Sequence, residues 1–291
     1  VPKEGTTAKY TSIKNKLDNG ATVVKAKSSV NGTLTVTLNK TATEEVSEEY
    51  TCKLEFNAVE RDTIGEEIRA FTNDSWSKIA ANVKSGNTSK YNIGDTKEVD
   101  LGDLGKHTVR ISNMSACESE TSETACGFVV EFADIITKHN INSTITNIGG
   151  WKDSEMRRYI NHDVFYSLPT DLQNIIVSTK VVSGHGNTSG EKNFETQDKL
   201  YLLSIEEIYN TEASDTSLGT SKQLDYYKQL GVSETNYNDL IKQYNSNNTG
   251  WWLRSAFNLD KKGFLYVSIF GTFSDSYADS IAGISPAFKI S

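Results

Sequence analysis

The sequence predicts an α+β protein, with small antiparallel sheets and flanking helices preceded by a short all-β segment. Three observations lead there. Before about residue 66, apolar and polar residues alternate with period two. Between residues 70 and 230, short amphipathic segments recur at helical spacing behind recognisable caps. From Trp251 to Ile290 the chain returns to short apolar runs broken by glycine, serine and aspartate, as hairpins require. With 291 residues, 36 % of them hydrophobic and 10 % aromatic, it can bury a core and suggests two domains, 1–66 and 67–291.

Taken in order, Leu34, Val36 and Leu38 alternate with Thr33, Thr35 and Thr37, and Tyr50, Cys52, Leu54, Phe56 and Ala58 share a second face. This reads as a half-buried antiparallel arrangement, part of a sandwich domain. Trp76, Ile79, Ala80 and Val83 fall at helical spacing, with Thr72, Asn73 and Asp74 as candidate caps and Gly86 as the stop. Residues 94–110 read as strand with tight turns, and 128–136 as a buried strand. Gly149-Gly150-Trp151 precedes a helix starting at Asp153 or Ser154 that turns Met156, Tyr159 and Ile160 inward. Pro169 opens a short helix carrying Leu172, Ile175 and Ile176, since a proline loses no donor in a first turn. Residues 184–199 read as a loop. Leu200-Tyr201-Leu202-Leu203 reads as a strand leading into a capping box, Ser204 with Glu207. From 210 to 250 the chain is an excursion with one helix around 223–230, and Trp251-Trp252-Leu253-Arg254-Ser255 restores strand.

Composition excludes some classes. The formal charge is −8 and no basic run exists, so nucleic acid and anionic membrane are poor partners. No stretch approaches the ~20 apolar residues of a membrane-spanning helix. The opening Val1-Pro2-Lys3-Glu4 reads as a mature or excised fragment. Cys117 and Cys126 flank a polar loop and admit two readings, a local disulfide or two reduced thiols, while Cys52 reads as a buried free thiol.

Chemistry-bearing patterns are few. His107, His139, His162 and His185 have no partner at metal-ligand spacing, so no metal or cofactor is expected. There is no Gly-x-Ser-x-Gly elbow, and Ser183-Gly184-His185-Gly186 reads better as a flexible loop. Neither a phosphate-binding glycine loop nor a calcium loop of alternating Asp and Asn is present, and Glu44-Glu45 with Glu48-Glu49 form a solvated acidic turn. Trp151, Trp251 and Trp252 suit core anchors better than exposed sugar platforms. Arg254 suits a buried cation paired to Glu131 or Asp134.

Several segments together carry a family resemblance. They are Tyr91-Asn92-Ile93-Gly94-Asp95, Gly149-Gly150-Trp151, Ser154-Glu155-Met156-Arg157 with Tyr159-Ile160-Asn161, Leu200-Tyr201-Leu202-Leu203-Ser204, Trp251-Trp252-Leu253-Arg254-Ser255, and Gly283-Ile284-Ser285-Pro286-Ala287-Phe288. They resemble an uncharacterised domain of secreted and surface proteins of Gram-positive bacteria, over roughly residues 68–291. The ending resembles, more distantly, the formylglycine-generating-enzyme branch of the C-type lectin fold. The resemblance implies a C-type-lectin-like scaffold and a binding role outside the cell. Enzymes of that branch need a cysteine pair near the C-terminus, and no cysteine follows Cys126. No catalytic residue is therefore carried over.

From Gly263 to Phe288 there is no Lys, Glu, Gln, Trp or Met. Every residue there can be encoded by a codon ending in a pyrimidine, as adenine-directed mutagenesis of Asn codons yields in the variable proteins of diversity-generating retroelements. A buried, turn-rich hairpin that avoids long charged side chains explains the same depletion. Alternation puts Leu265, Val267 and Ile269 on one face and Tyr266, Ser268 and Phe270 on the other. The expected ligand-binding residues are Tyr266, Ser268, Phe270, Phe273, Asp275, Tyr277 and Asp279, a paratope-like set of stiff aromatics and short polar groups. The function expected is a non-catalytic surface module for a protein or glycan ligand. The rivals are an envelope enzyme using the 183–187 loop with His139 or His162, and a structural spacer.

Overall fold

The computed structural model describes residues 11–17, 32–38, 70–119, 121–187, 192–211 and 222–291. The chain divides into two compact units, Val1–Ala58 and Val59–Ser291. In the first, β1 (Thr11–Leu17) pairs antiparallel with β2 (Gly32–Leu38), which holds the alternating threonines. The strand expected over 50–58, with Cys52, and the acidic turn at 44–49 lie outside the described residues.

The second unit is mixed α and β. Its first sheet has four strands in the order β15-β5-β4-β3. Here β3 (Thr96–Asp100) and β4 (Lys106–Asn113) form a hairpin, β5 (Phe128–Phe132) lies beside β4, and β15 (Ala287–Ile290) closes the sheet. All five residues of β5 are buried, so the run 128–132 needs no polar alternation. Isolated bridges from Ile176 to Ile290 and from Tyr201 to Ala287 cover the outer edge of β15. The segment 200–203 is thus not a full strand; it bridges to Ala287 at Tyr201, the Leu203 carbonyl accepts from the Arg254 N–H at 3.0 Å, and its side chains are packed inward.

The second sheet has five strands, built around β11 (Trp251–Ala256), in which every residue is buried. On one side of β11 lies the hairpin of β12 (Gly263–Val267) and β13 (Phe273–Tyr277); on the other lie β14 (Ala282–Ile284) and β6 (Thr137–His139). β14 runs parallel to β11, pairing Gly283 with Trp251. A Cβ on Gly283 would stand 2.6 Å from Ile135 Cδ1, so any larger residue there would have to displace the Ile135 side chain. The sequence suggests that the Trp251 strand and the last strand share a sheet. They do not, because Ser285 and Pro286 turn the chain from β14 in one sheet to β15 in the other.

Two smaller pairings complete the unit. β7 (Thr179–Ser183) and β8 (Phe194–Asp198) form a hairpin, where the sequence reads a loop over 184–199. Its polar residues Glu195 and Gln197 face solvent while Thr196 and Asp198 point inward, an alternation whose buried half is polar and hence invisible to hydropathy. β9 (Gln243–Tyr244) and β10 (Asn247–Asn248) form a two-residue pairing.

The helices follow the sequence pattern closely. Trp76–Lys84 is capped by Ser75, whose hydroxyl accepts from the Lys78 N–H, rather than by Thr72, Asn73 or Asp74. Asp74 instead takes Lys78, Lys90 and Tyr91. Glu155–Tyr159 begins behind Ser154 and buries Met156. Thr170–Gln173 follows Pro169 and buries Leu172 but ends before Ile175 and Ile176, the latter bridging to Ile290 instead, and Asp225–Gln229 lies inside the expected 223–230. Among the described residues no helix is long and apolar enough to cross a membrane.

Candidate functional site

The motifs at 200–204, 251–255 and 283–288 prove to be interior, whereas Asn92 is exposed and Glu155, Arg157 and Tyr159 are half-buried. Trp151, Trp251 and Trp252 are fully buried, and each indole N–H is satisfied: by Asp198 at 2.9 Å, the Leu240 carbonyl at 3.1 Å and the His139 carbonyl at 2.9 Å. Arg254, also fully buried, pairs with Glu207 rather than Glu131 or Asp134. Its two terminal nitrogens reach the two carboxylate oxygens at 2.6 and 2.7 Å. The same carboxylate accepts from the Ser204 N–H, so the capping-box glutamate ties helix Ile205–Tyr209 to β11. Ser255 accepts the Ile205 N–H at 3.0 Å.

Glu131 belongs to a separate buried network. Arg110, opposite it across the β4–β5 ladder, donates at 2.9 Å, and Tyr227 donates at 2.7 Å. Lys242 lies 3.6 Å away and donates to Ser285 Oγ at 2.6 Å and to the Phe132 carbonyl at 2.9 Å. Burial pushes the Lys242 ammonium down to about 8 against the pull of Glu131. Burial alone would raise Glu131, yet Arg110 and Lys242 hold it below the usual carboxylate range. A lysine on a serine resembles a nucleophile pair, but both are buried and Ser285 donates to the Phe132 carbonyl at 2.7 Å. The pair stitches β5 to the turn before β15. A lysine between Ile241 and Gln243 gives no sequence signal of this.

The rival catalytic residues are scattered. His139 stacks on Tyr159 at 4.4 Å with Nδ1 on the Asn140 carbonyl. His162 is exposed beside Asp163, and Ser183 is buried at the end of β7. None of the three hydrogen-bonds another among the described residues. Among those residues, too, no group of three or more His, Cys, Asp and Glu is placed to hold a metal. Cys117 and Cys126 are joined as a disulfide, Cα to Cα 4.8 Å.

The hairpin residues are split by register. Tyr266 is opposite Ser274, whereas Leu265 is opposite Asp275, Val267 opposite Phe273, and Gly263 opposite Tyr277. Directly paired residues share a face. Phe273, Asp275 and Tyr277 therefore lie on the Leu265 and Val267 face, and Tyr266 lies on the other. Tyr266 is half-buried against Trp252, at 5.9 Å, and Phe273 half-buried against Tyr209, at 5.2 Å. Ser268 is half-buried as well, while Asp275, Tyr277 and Asp279 are exposed. Leu265 and Val267 are buried as the alternation requires, but so is Phe264. Ile269 is not buried. It is 46 % exposed because the strand ends at Val267 and the alternation ends with it.

What the hairpin does present is its turn. Ser268 N–H donates to the Thr272 carbonyl at 2.7 Å, Gly271 N–H to the Ser268 carbonyl at 3.0 Å, and Phe270 N–H to Ser268 Oγ at 3.2 Å. The Tyr209 hydroxyl donates to the Gly271 carbonyl from the adjoining helix. Gly271 has φ +86°, and a Cβ there would meet the Tyr237 carbonyl at 2.2 Å. The turn is therefore fixed on its inner side and holds out Ile269 and Phe270, the latter 69 % exposed. At the other end of the hairpin, Asn147 donates to the carbonyls of Phe257, Asp260 and Gly263, and Tyr277 stands 51 % exposed under Lys262.

This architecture is that of a mixed α+β domain whose most distinctive sequence motifs are internal. Residues 129–291 match a domain of unknown function, DUF6273, and the chain belongs to that family. The match starts in β5, later than the resemblance over 68–291 suggests. No curated protein and no solved structure matches the chain.

Proposed function

We propose that the second unit is a non-catalytic recognition module of a secreted or surface protein of a Gram-positive bacterium. Its scaffold is C-type-lectin-like, and it grips a protein ligand through the β12–β13 turn. The observation that carries this is the fixed turn with Ile269 and Phe270 outward. Two adjacent large apolar side chains on a held backbone lose little entropy on burial and supply an anchor for a partner's pocket. A protein is favoured over a glycan because none of the described tryptophans is exposed as a stacking platform. The Cys117–Cys126 disulfide supports an oxidising, extracellular setting. Tyr277, Asp275 and Asp279 extend the reading along the edge strand, while Tyr266, Ser268 and Phe273 support the turn from within.

Diversification by a retroelement remains part of the proposal only for exposed positions. Burial itself accounts for the missing charged side chains at Phe264, Leu265, Val267 and from Gly283 to Phe288.

The test is capture on arrays of purified secreted and surface proteins and of glycans, with wild type beside Ile269→Ser/Phe270→Ser. We expect protein spots held by wild type and lost by the variant at unchanged melting temperature. Capture by glycans alone, or equal capture by the variant, contradicts the reading.

A further inference from the structure

A concavity of about 590 Å³ opens between helix Glu155–Tyr159 and β8, and every side chain lining it is polar. It lies apart from the hairpin, and the motif residues Ser154, Glu155, Arg157 and Asn161 form part of its wall, along with Asp198, which anchors Trp151. That volume is in the range of small-molecule clefts, roughly 300–1,000 Å³, which are usually apolar. A lining of polar and charged residues, whose aliphatic stems supply part of the surface, suits a hydrated, charged ligand instead.

Four cations line it, Lys152, Arg157, Arg158 and Lys199, in a chain whose net charge is −8. The carboxylates facing them are largely committed. Asp198, buried, accepts from Trp151 Nε1 at 2.9 Å, Thr196 Oγ1 at 2.7 Å and Arg157 Nε at 2.7 Å. Glu155 accepts from Ser143 Oγ at 2.6 Å, and that bond holds it below the usual carboxylate range. Asp153 is exposed at the rim. Lys199 donates to the Ile176 carbonyl, which leaves Lys152, Arg157 and Arg158 to act on a ligand.

Arg157 is the best prepared of them. Nε is spent on Asp198, one terminal nitrogen reaches the Lys152 carbonyl at 3.2 Å, and the other the Gln197 carbonyl at 3.5 Å. A guanidinium has five N–H groups, so one on each terminal nitrogen has no partner among the described residues. Those two can donate to an oxyanion, from a side chain already fixed by a buried carboxylate.

We infer that this cleft binds the oxyanion of a small hydroxylated molecule, an acidic sugar or a sugar phosphate. Arg157 supplies those two donors, and Lys152 and Arg158 are the flanking charges. The inference is independent of the hairpin reading.

Calorimetry of the full chain at low ionic strength, with glucuronate, glucose 6-phosphate and glucose as probes, tests it. We expect one or both anionic sugars to bind and glucose not to; which anion binds more tightly distinguishes carboxylate from phosphate recognition. Lys152→Gln with Arg158→Gln, both exposed, should weaken binding about tenfold or more at unchanged melting temperature. Arg157→Lys, which keeps the charge and loses the guanidinium donors, should weaken it as well. Binding by neither anionic sugar, equal binding of glucose, or undiminished binding by the double variant overturns the inference.

Discussion

Arg254 and Glu207 show what a buried charge does here. Both are fully buried, paired through two hydrogen bonds, and joined to a helix cap and a strand at once. Removing one partner leaves the other charge unpaired in the interior, so Glu207→Gln or Arg254→Leu should lower unfolding free energy by roughly 3–5 kcal/mol. Chemical denaturation reads this directly, and a loss below about 1 kcal/mol would mean the pair is hydrated. Lys242 sets a pH dependence. Its proton leaves near pH 8 in the folded chain and near the ordinary 10.5 once unfolded. Between these values the unfolded chain holds more protons, so this group makes stability rise with pH. Tyr91, which burial and then Asp74 push up to about 12, keeps its proton when the unfolded chain loses it near pH 10. Above pH 10 stability should therefore fall. The denaturation midpoint should rise from about pH 8 to a maximum near pH 10, and Lys242→Met should flatten that rise. On the acid side Asp74, which burial would raise, is brought to about 2 by Lys78, Lys90 and Tyr91. Its contribution disappears as pH drops from about 4 to 2, and Asp74→Asn should remove that part of the acid transition.

At the scale of elements, the proposed role of the β12–β13 hairpin would separate folding from binding within a few residues. Val267→Ala opens space in the core and should cost roughly 1–3 kcal/mol, whereas Phe270→Ser should change melting temperature little. Gly271→Ala should disturb the turn itself, because its Cβ collides with the Tyr237 carbonyl. If Phe270→Ser unfolds the unit instead, the tip is not free surface. The hairpin also shows how far sequence reasoning reaches. Alternation places Leu265 and Val267 correctly because they lie within β12, and it fails at Ile269 because period two has no meaning past a strand end. It cannot report that the partner strand puts Phe273, Asp275 and Tyr277 on the opposite face from Tyr266, since register is a property of two strands. Helices were more legible: Trp76–Lys84 and the Ser204–Glu207 capping box depend on local spacing. β8 was illegible because its inward residues, Thr196 and Asp198, are polar. The Arg254–Glu207 ion pair and the Lys242–Ser285 hydrogen bond join positions 47 and 43 residues apart and leave no local trace.

For the molecule as a whole, the strongest sequence signature and the proposed contact surface are different sets of residues. Trp251-Trp252-Leu253-Arg254-Ser255 and Gly283-Ile284-Ser285-Pro286-Ala287-Phe288 are buried throughout, and they position the hairpin between them. A family that shares this interior can vary its exposed turn without altering the fold. The disulfide gives a check on the rest of the scaffold: Cys117→Ser/Cys126→Ser should lower stability by roughly 2–3 kcal/mol, read by denaturant titration, and leave the hairpin turn unchanged. The most direct measurement is a saturation scan of residues 263–288. Each variant is scored twice, for folding by protease resistance and for capture of the protein retained on the arrays. We predict that buried positions from Phe264 to Val267 and from Gly283 to Phe288 lose folding and capture together, while Ile269, Phe270 and Tyr277 lose capture alone. If no position in the segment loses capture while keeping its fold, the hairpin does not bind the ligand and the central claim fails.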